Sequence, residues 1–484
     1  MIHFHRPRPF VLLLLCAACN APAPHTGVAD AALPDAASAG IRRAEAVGRI
    51  VEESLVRGRA WDKLAALCAV APHRLSGSAG AALAVEWAVG AMLADGLENV
   101  HSEPCTVPRW ERGAVEVLEF VEPRELAGER LPILALGGSV ATPAGGTTAE
   151  VVVVESFEDL RALGDAATGR IVLFARPMAD GEPNPFDAYR GAVDQRSRGA
   201  IEAARAGAVA AIVRSMTTLR DDEPHTGAMR YADGVPRVPA AAVSTNGADR
   251  IASLIADGAR VVLRLRLDCR TRDAVTSFNV IGELVGTELP DEVLVIGAHL
   301  DAWDVGEGAH DDGAGCAQAI EALRILEALG LRPRRTLRAV LFMNEENGLA
   351  GGRAYRAAHA AEMANHVMAL ESDRGAYSPR GFTTDAGPAG LAVLRELAAA
   401  LAPIGADRVM EGSGGADISP MAQDGVPLVG LYPDPQRYFD LHHSRADTLA
   451  MVNRRELHLG AAALAALLYL VADSEEPLPR NASE

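Results

Sequence analysis

The sequence predicts an α/β fold: a mostly parallel, twisted sheet covered by helices on both faces, with a β-rich domain inserted into it. Three observations carry this reading. After Ser277, short apolar runs at 293–297, 339–343, 367–370 and 426–431 alternate with helical stretches near 315–329, 348–359, 390–401 and 454–471. Strands buried on both faces read as continuous apolar runs, and their alternation with helices marks parallel strands joined by crossovers. Between about 109 and 267 the texture differs: β-like runs occur at 151–155, 171–175 and 261–267, with one helical segment, 200–206, before the run 209–213. Finally, 484 residues, 49% hydrophobic and 23% charged, suffice for two or three domains around a large core.

From the N-terminus, His3, Arg6 and Arg8 precede a short apolar run from Phe10 to Ala18. That is a signal peptide over 1–18, since a membrane-spanning helix needs ~20 apolar residues. Leu15-Cys16-Ala17-Ala18-Cys19 resembles a bacterial lipobox in which Cys19 is lipidated; an ordinary cleavage near Ala18, Ala21 or Ala23 is the alternative. Either way the protein is exported, as a periplasmic or outer-membrane lipoprotein or a secreted protein, and a lipid on Cys19 is the only expected link to a membrane. Residues 19–40, rich in Ala, Pro and Ser, read as a tether. Helical periodicity at 41–56 and 81–97 assigns 41–108 to the main domain, with the loop Pro72-His73-Arg74-Leu75-Ser76-Gly77-Ser78 between. The insert takes 109–270, the main domain resumes over 271–475, and 476–484 is a tail.

The net charge of −18 disfavours nucleic acid as a partner, because phosphate binding needs a basic surface. Lys63 is the only lysine, which reads as compositional bias. Cys68, Cys105, Cys269 and Cys316 are too scattered for a thiolate zinc site. Cys105 and Cys269 flank the insert, whose ends must lie close together. They are therefore either a disulfide or two free thiols packed as small apolar residues.

In sheets of this type ligands bind beyond the carboxyl ends of the strands, and acidic and histidine residues follow those ends here. His299-Leu300-Asp301 follows the first run. Imidazole is a good zinc ligand, and a carboxylate two residues on can fix its tautomer. His310-Asp311-Asp312-Gly313-Ala314-Gly315 precedes a helix, as either an Asp cap with glycine turns or a rigid carboxylate bridging two cations. Asn344-Glu345-Glu346 ends the second run and Glu371-Ser372-Asp373 the third; each alone could be a surface turn. Phe439-Asp440-Leu441-His442-His443-Ser444-Arg445-Ala446-Asp447 could alone be a polar loop. Their succession after strands of one sheet points to a metal site.

These stretches resemble the plasma glutamate carboxypeptidase-like branch of the dizinc aminopeptidase family. The likeness lies in Gly297-Ala298-His299-Leu300-Asp301-Ala302-Trp303-Asp304-Val305-Gly306, Asp311-Asp312-Gly313-Ala314-Gly315, Glu345-Glu346 and His442-His443-Ser444. Outside the site it extends to Trp110-Glu111-Arg112-Gly113, Pro224-His225-Thr226-Gly227 and Asp233-Gly234-Val235-Pro236. The resemblance implies two zinc ions per subunit: His299 and Asp373 on the first, Glu346 and His443 on the second, and Asp311 bridging. It implies that Glu345 is the general base, that Asp301 orients His299, and that the Asp311–Asp312 peptide is cis. It further implies a zinc aminopeptidase, phosphorylase/hydrolase-like fold, a protease-associated insert and a homodimer. The implied activity is hydrolysis of dipeptides or short peptides with free termini. Tyr438 and His442, near the last ligand in sequence, are candidate substrate or oxyanion contacts that could equally pack or cap. Asn344 replaces an alanine usual in the family, and the loop Glu307-Gly308-Ala309-His310 varies, yet no ligand is missing. A receptor-like noncatalytic relative, a single-zinc glutaminyl cyclase and an amidohydrolase of a non-peptide amide are the alternatives.

Overall fold

The computed structural model describes residues 35–481, so the expected signal peptide and Cys19 lie outside the described residues. The first helix, Asp35–Arg57, starts within the stretch expected to be a tether.

The centre of the main sheet is four parallel strands, β1 (Leu289–His299), β2 (Arg335–Phe342), β3 (His366–Glu371) and β4 (Leu428–Pro433), in the order β2-β1-β3-β4. Along β1 alternate side chains point to opposite faces. Leu294, Ile296 and Ala298 join a core cluster with the helices Ala314–Ala328 and Arg454–Ala472. Val293 and Val295 join another with Tyr355, Ile418 and Met421. Neither face meets water, which is why the strand is a continuous apolar run. Helix Arg454–Ala472, though apolar, belongs to this core: Leu464, Ala465, Leu467 and Leu468 have no exposed surface.

The expectation of a mostly parallel sheet needs correction at the edges. Arg270–Leu284 runs antiparallel to β2, Glu98–Glu111 antiparallel to Arg270–Leu284, and Pro379–Thr384 antiparallel to β4. Only the strands linked by helical crossovers are forced parallel. The sheet is mixed.

A second sheet of eight strands is formed entirely from residues between Glu98–Glu111 and Arg270–Leu284 in the sequence, Glu116–Glu122 to Val262–Leu267. It too is mixed, with parallel pairs among Thr147–Val154, Ile171–Phe174, Ala210–Arg214 and Ala240–Val243. Helices Phe157–Leu163, Pro185–Arg190, Asp194–Arg205 and Thr245–Ala256 accompany it, so the segment expected to be β-rich is itself α/β. Three of these helices open on side-chain caps, Ser156 accepting from the Asp159 amide, Asn184 from the Phe186 amide and Ser244 from the Gly247 amide.

Cys105 and Cys269 are free and buried. Cys105 lies opposite Ser277, whereas Cys269 lies beyond the Glu111–Arg270 pair at the far end of the same ladder. At ~3.3 Å per residue the separation along the strands is about 20 Å, well outside disulfide reach. The two strands leave the main sheet as a long ribbon, and the cysteines sit at its two ends. Lys63 is also more than composition: its Nζ lies buried 2.6 Å from Asp95 Oδ2 and 2.7 Å from Glu321 Oε2.

Candidate metal centre

The parallel strands point their carboxyl ends the same way, and each delivers one part of the site. His299 is the last residue of β1, Asn344-Glu345-Glu346 follows β2, and Asp373 follows β3. His442 and His443 follow β4 after the short helix Tyr438–Leu441. Asp311 comes from the turn at 309–313 that leads into helix Ala314–Ala328, and its peptide bond to Asp312 is cis.

Asp311 is the hinge of the geometry. Its Oδ1 lies 3.1 Å from His299 Nε2, which is in turn 3.3 Å from Asp373 Oδ1. Its Oδ2 lies 3.4 Å from His443 Nε2, which is 3.1 Å from Glu346 Oε2. One carboxylate thus faces two separate histidine–carboxylate pairs. Oδ2 is buried without a hydrogen-bond partner, a costly state that a cation would relieve. Donor atoms of His299, Asp311 and Asp373 lie within 4.8 Å of one another, as do those of Asp311, His442 and His443. Imidazole and carboxylate donors at this spacing fit zinc. His442, expected only as a substrate contact, has its Nε2 3.9 Å from Asp311 Oδ2 and its ring stacked on His443 at 3.5 Å.

The protonation states suit cation binding. Burial, then the neighbouring His442, holds His443 well below the ordinary imidazole range, so its ring is neutral and able to ligate. Burial would raise Asp311, but the hydrogen bond from His299 and that ring's positive charge hold it below the usual carboxylate range. Burial, reinforced by Asp373, Asp311 and Asp301, pushes Glu345 up to about 8. A bound cation would pull such a carboxyl back down toward neutrality.

Supporting contacts fix these positions. The Nδ1 of His299 meets the backbone carbonyl of Asp301 at 2.9 Å, while the Asp301 carboxylate stands 4.0 Å away. That carboxylate instead accepts the Asn344 and Glu345 amides at 2.7 and 3.0 Å, shaping the turn that carries the glutamate pair. Asn344 has φ +77°, a left-handed conformation that asparagine tolerates better than alanine does, which accounts for the departure at this position. His443 is left-handed as well, at φ +60°. The Trp303 amide donates to Glu346 Oε1 at 3.2 Å, leaving Oε2 for His443. Asp312 accepts the amides of His299 and Gly315.

Several residues that matter here escape sequence reasoning. Asp447 accepts the His310 and Asp311 amides at 2.7 and 3.1 Å and so holds Asp311 in place; its one signal is membership of the same polar loop as His443. Arg74, fully buried, donates to the carbonyls of Leu300, Glu307 and Gly308 and braces the loop after His299. Arg196, from the second sheet's helix Asp194–Arg205, bonds the Tyr189 hydroxyl and comes 3.4 Å from His443 Nδ1. Beside the centre a cleft of about 380 Å³ draws Phe186 and Tyr189 from the second sheet's segment and Arg374, Tyr438, Phe439 and His442 from the main one. Tyr438 stacks on Phe186 at 5.2 Å within it.

Comparison with known proteins gives a consistent result. Residues 279–468 match Peptidase family M28. Carboxypeptidase Q of Bos taurus is 38% identical over 425 residues, covering 88% of this chain and 88% of that protein. A solved peptidase M28 precursor from Shewanella amazonensis SB2B superposes with a TM-score of 0.88 at 34% identity, over 92% of this chain and 100% of that one. A zinc aminopeptidase from Bacillus subtilis, 18% identical with a TM-score of 0.62 over 88% of this chain and 98% of that one, shares the fold.

Proposed function

The chain belongs to peptidase family M28 as a carboxypeptidase Q-like member, and from that premise we propose that it is a zinc metallopeptidase holding two ions per subunit. It hydrolyses dipeptides or short peptides with free termini, outside the cytoplasm. The observation that carries the reading is Asp311, whose two oxygens face His299–Asp373 on one side and His443–Glu346 on the other. Zinc bound between these pairs would polarise the scissile carbonyl and acidify a water.

The remaining chemistry belongs to side chains. Glu345 takes the proton of the attacking water and returns it to the leaving nitrogen, a role to which a carboxyl lifted toward neutrality is suited. Asp301 holds Glu345 and its neighbour through their turn amides, so base and ligand keep a fixed spacing. Tyr438 and His442 line the cleft where substrate lies, and the aromatic rings of Phe186 and Tyr189 exclude water from it. We read the segment that supplies these two rings as the protease-associated insert. The test is a hydrolysis screen of zinc-loaded protein over dipeptides with free ends, N-acetylated ends and amidated ends. Cleavage of the free dipeptides and loss on N-acetylation is the expected outcome. Turnover confined to non-peptide amides would overturn the reading.

A further inference from the structure

The cleft beside the metal centre contains one lysine or arginine, Arg374, half-buried among its aromatic walls. Its guanidinium carbon lies 5.5 Å from the Phe186 ring centroid, a cation–π contact that holds it in place without neutralising it. Among the described residues Arg374 makes no ion pair within 4.0 Å and no hydrogen bond. The other arginines around the site are tied down: Arg74 to four carbonyls, Arg112 to Asp304 and Glu116, and Arg196 to the Tyr189 hydroxyl. Two carboxylates share the cleft, but both are engaged elsewhere. Glu371 accepts the amides of Ala416 and Ile418, and Asp373 faces His299. A half-buried guanidinium with no protein partner is free to form charge-assisted hydrogen bonds with an incoming anion.

We infer that Arg374 is a specificity-determining residue that binds a carboxylate on the substrate residue at the leaving side of the scissile bond. This rests on the peptidase reading above and deepens it. The leaving side follows from charge. A substrate with a free N-terminus carries its positive amine on the acyl side, which a bare guanidinium repels, whereas the leaving residue carries a carboxylate. That carboxylate is either the main-chain terminus or an acidic side chain.

The experiment measures kcat and KM of zinc-loaded wild type, Arg374→Ala and Arg374→Gln on three probes: Ala-Leu, Ala-Leu-amide and Ala-Glu-amide. Thermal unfolding of each variant reports on folding, and the glutamine form keeps the bulk of the side chain should the alanine form be unstable. With a charge-assisted pair lost, KM for the probe that carries the bound carboxylate, Ala-Leu or Ala-Glu-amide, should rise about 10- to 100-fold in both variants while Ala-Leu-amide changes little. A rise on Ala-Leu with none on Ala-Glu-amide would assign the carboxylate to the main-chain terminus, and a rise on Ala-Glu-amide with none on Ala-Leu to the side chain. Equal rises on Ala-Leu and Ala-Leu-amide, or no change on any probe, would overturn the role of Arg374 while leaving the peptidase reading intact. Absence of wild-type turnover on all three probes would remove both.

Discussion

Removing the Asp447 carboxylate should weaken the metal centre without touching a ligand. Asp447 is 3% exposed, and its two oxygens accept the amides of His310 and Asp311 at 2.7 and 3.1 Å. Burial lifts its carboxyl to about 7, with the nearby Asp311 adding to the effect and the two amides opposing it. In Asp447→Ala both amides lose their acceptor inside the protein, at ~1–3 kcal/mol each, so stability of the metal-free protein should fall by about 2–6 kcal/mol. The turn carrying Asp311 then loosens, and loss of contacts that orient ligands costs ~10–100-fold in metal affinity. Asp447→Asn keeps one acceptor oxygen and should lie between wild type and alanine. Chelator competition gives the zinc affinity, and urea unfolding of the stripped protein gives the stability. An alanine variant with wild-type affinity and an unchanged urea midpoint would refute the claim that Asp447 positions the bridging residue.

Other expectations follow from the same geometry. Glu345→Gln should retain its zinc by elemental analysis yet lose ~10²–10⁴-fold in turnover, and near-normal activity would remove Glu345 as the base. Lys63→Ala strands the buried Asp95 and Glu321 carboxylates, which keep only Arg59 and Arg324 as partners, and should cost about 3 kcal/mol in urea unfolding; an unchanged midpoint would count against the buried ion cluster. His366 is held at about 4, against an ordinary 6.5, chiefly by burial, and its ring bonds the Tyr355 hydroxyl and the Glu362 carbonyl. Between those values the unfolded chain binds a proton that the folded one refuses, so stability falls as pH drops from 6.5 toward 4, by up to ~1.4 kcal/mol per pH unit. His366→Gln should make the urea midpoint less steep in pH over that window, and an identical slope would contradict the assignment.

What could be read from the sequence was set by how each segment is buried. The four central strands are covered on both faces, so their residues are apolar without interruption, and the ligands that follow them are legible for the same reason. The helix expected at 454–471 is Arg454–Ala472, and that expected at 315–329 is Ala314–Ala328. Strands Glu98–Glu111 and Arg270–Leu284 were illegible because long parts of both are exposed and charged. Over those parts they are held by their mutual ladder, and no apolar period betrays a ladder. Helix Ala60–Val70 escaped because its buried face includes Lys63 beside Leu64 and Leu67, so the lysine breaks the apolar stripe. Within the site, His299, Asp311, Glu346, Asp373 and His443 converge as the sequence suggests. Arg196, Tyr189 and Phe186 reach the centre from the other sheet, and Arg374 turns into the cleft, through tertiary contacts that no local pattern encodes.

We propose above that Asp311 bridges two cations held by different histidines. Diffraction from zinc-loaded crystals, with anomalous differences measured at the zinc edge, tests it directly. Two peaks per subunit are expected, one between His299 and Asp373 and one between Glu346 and His443, each in contact with a different oxygen of Asp311. A single peak at full zinc loading, or two peaks of which only one touches Asp311, would contradict it.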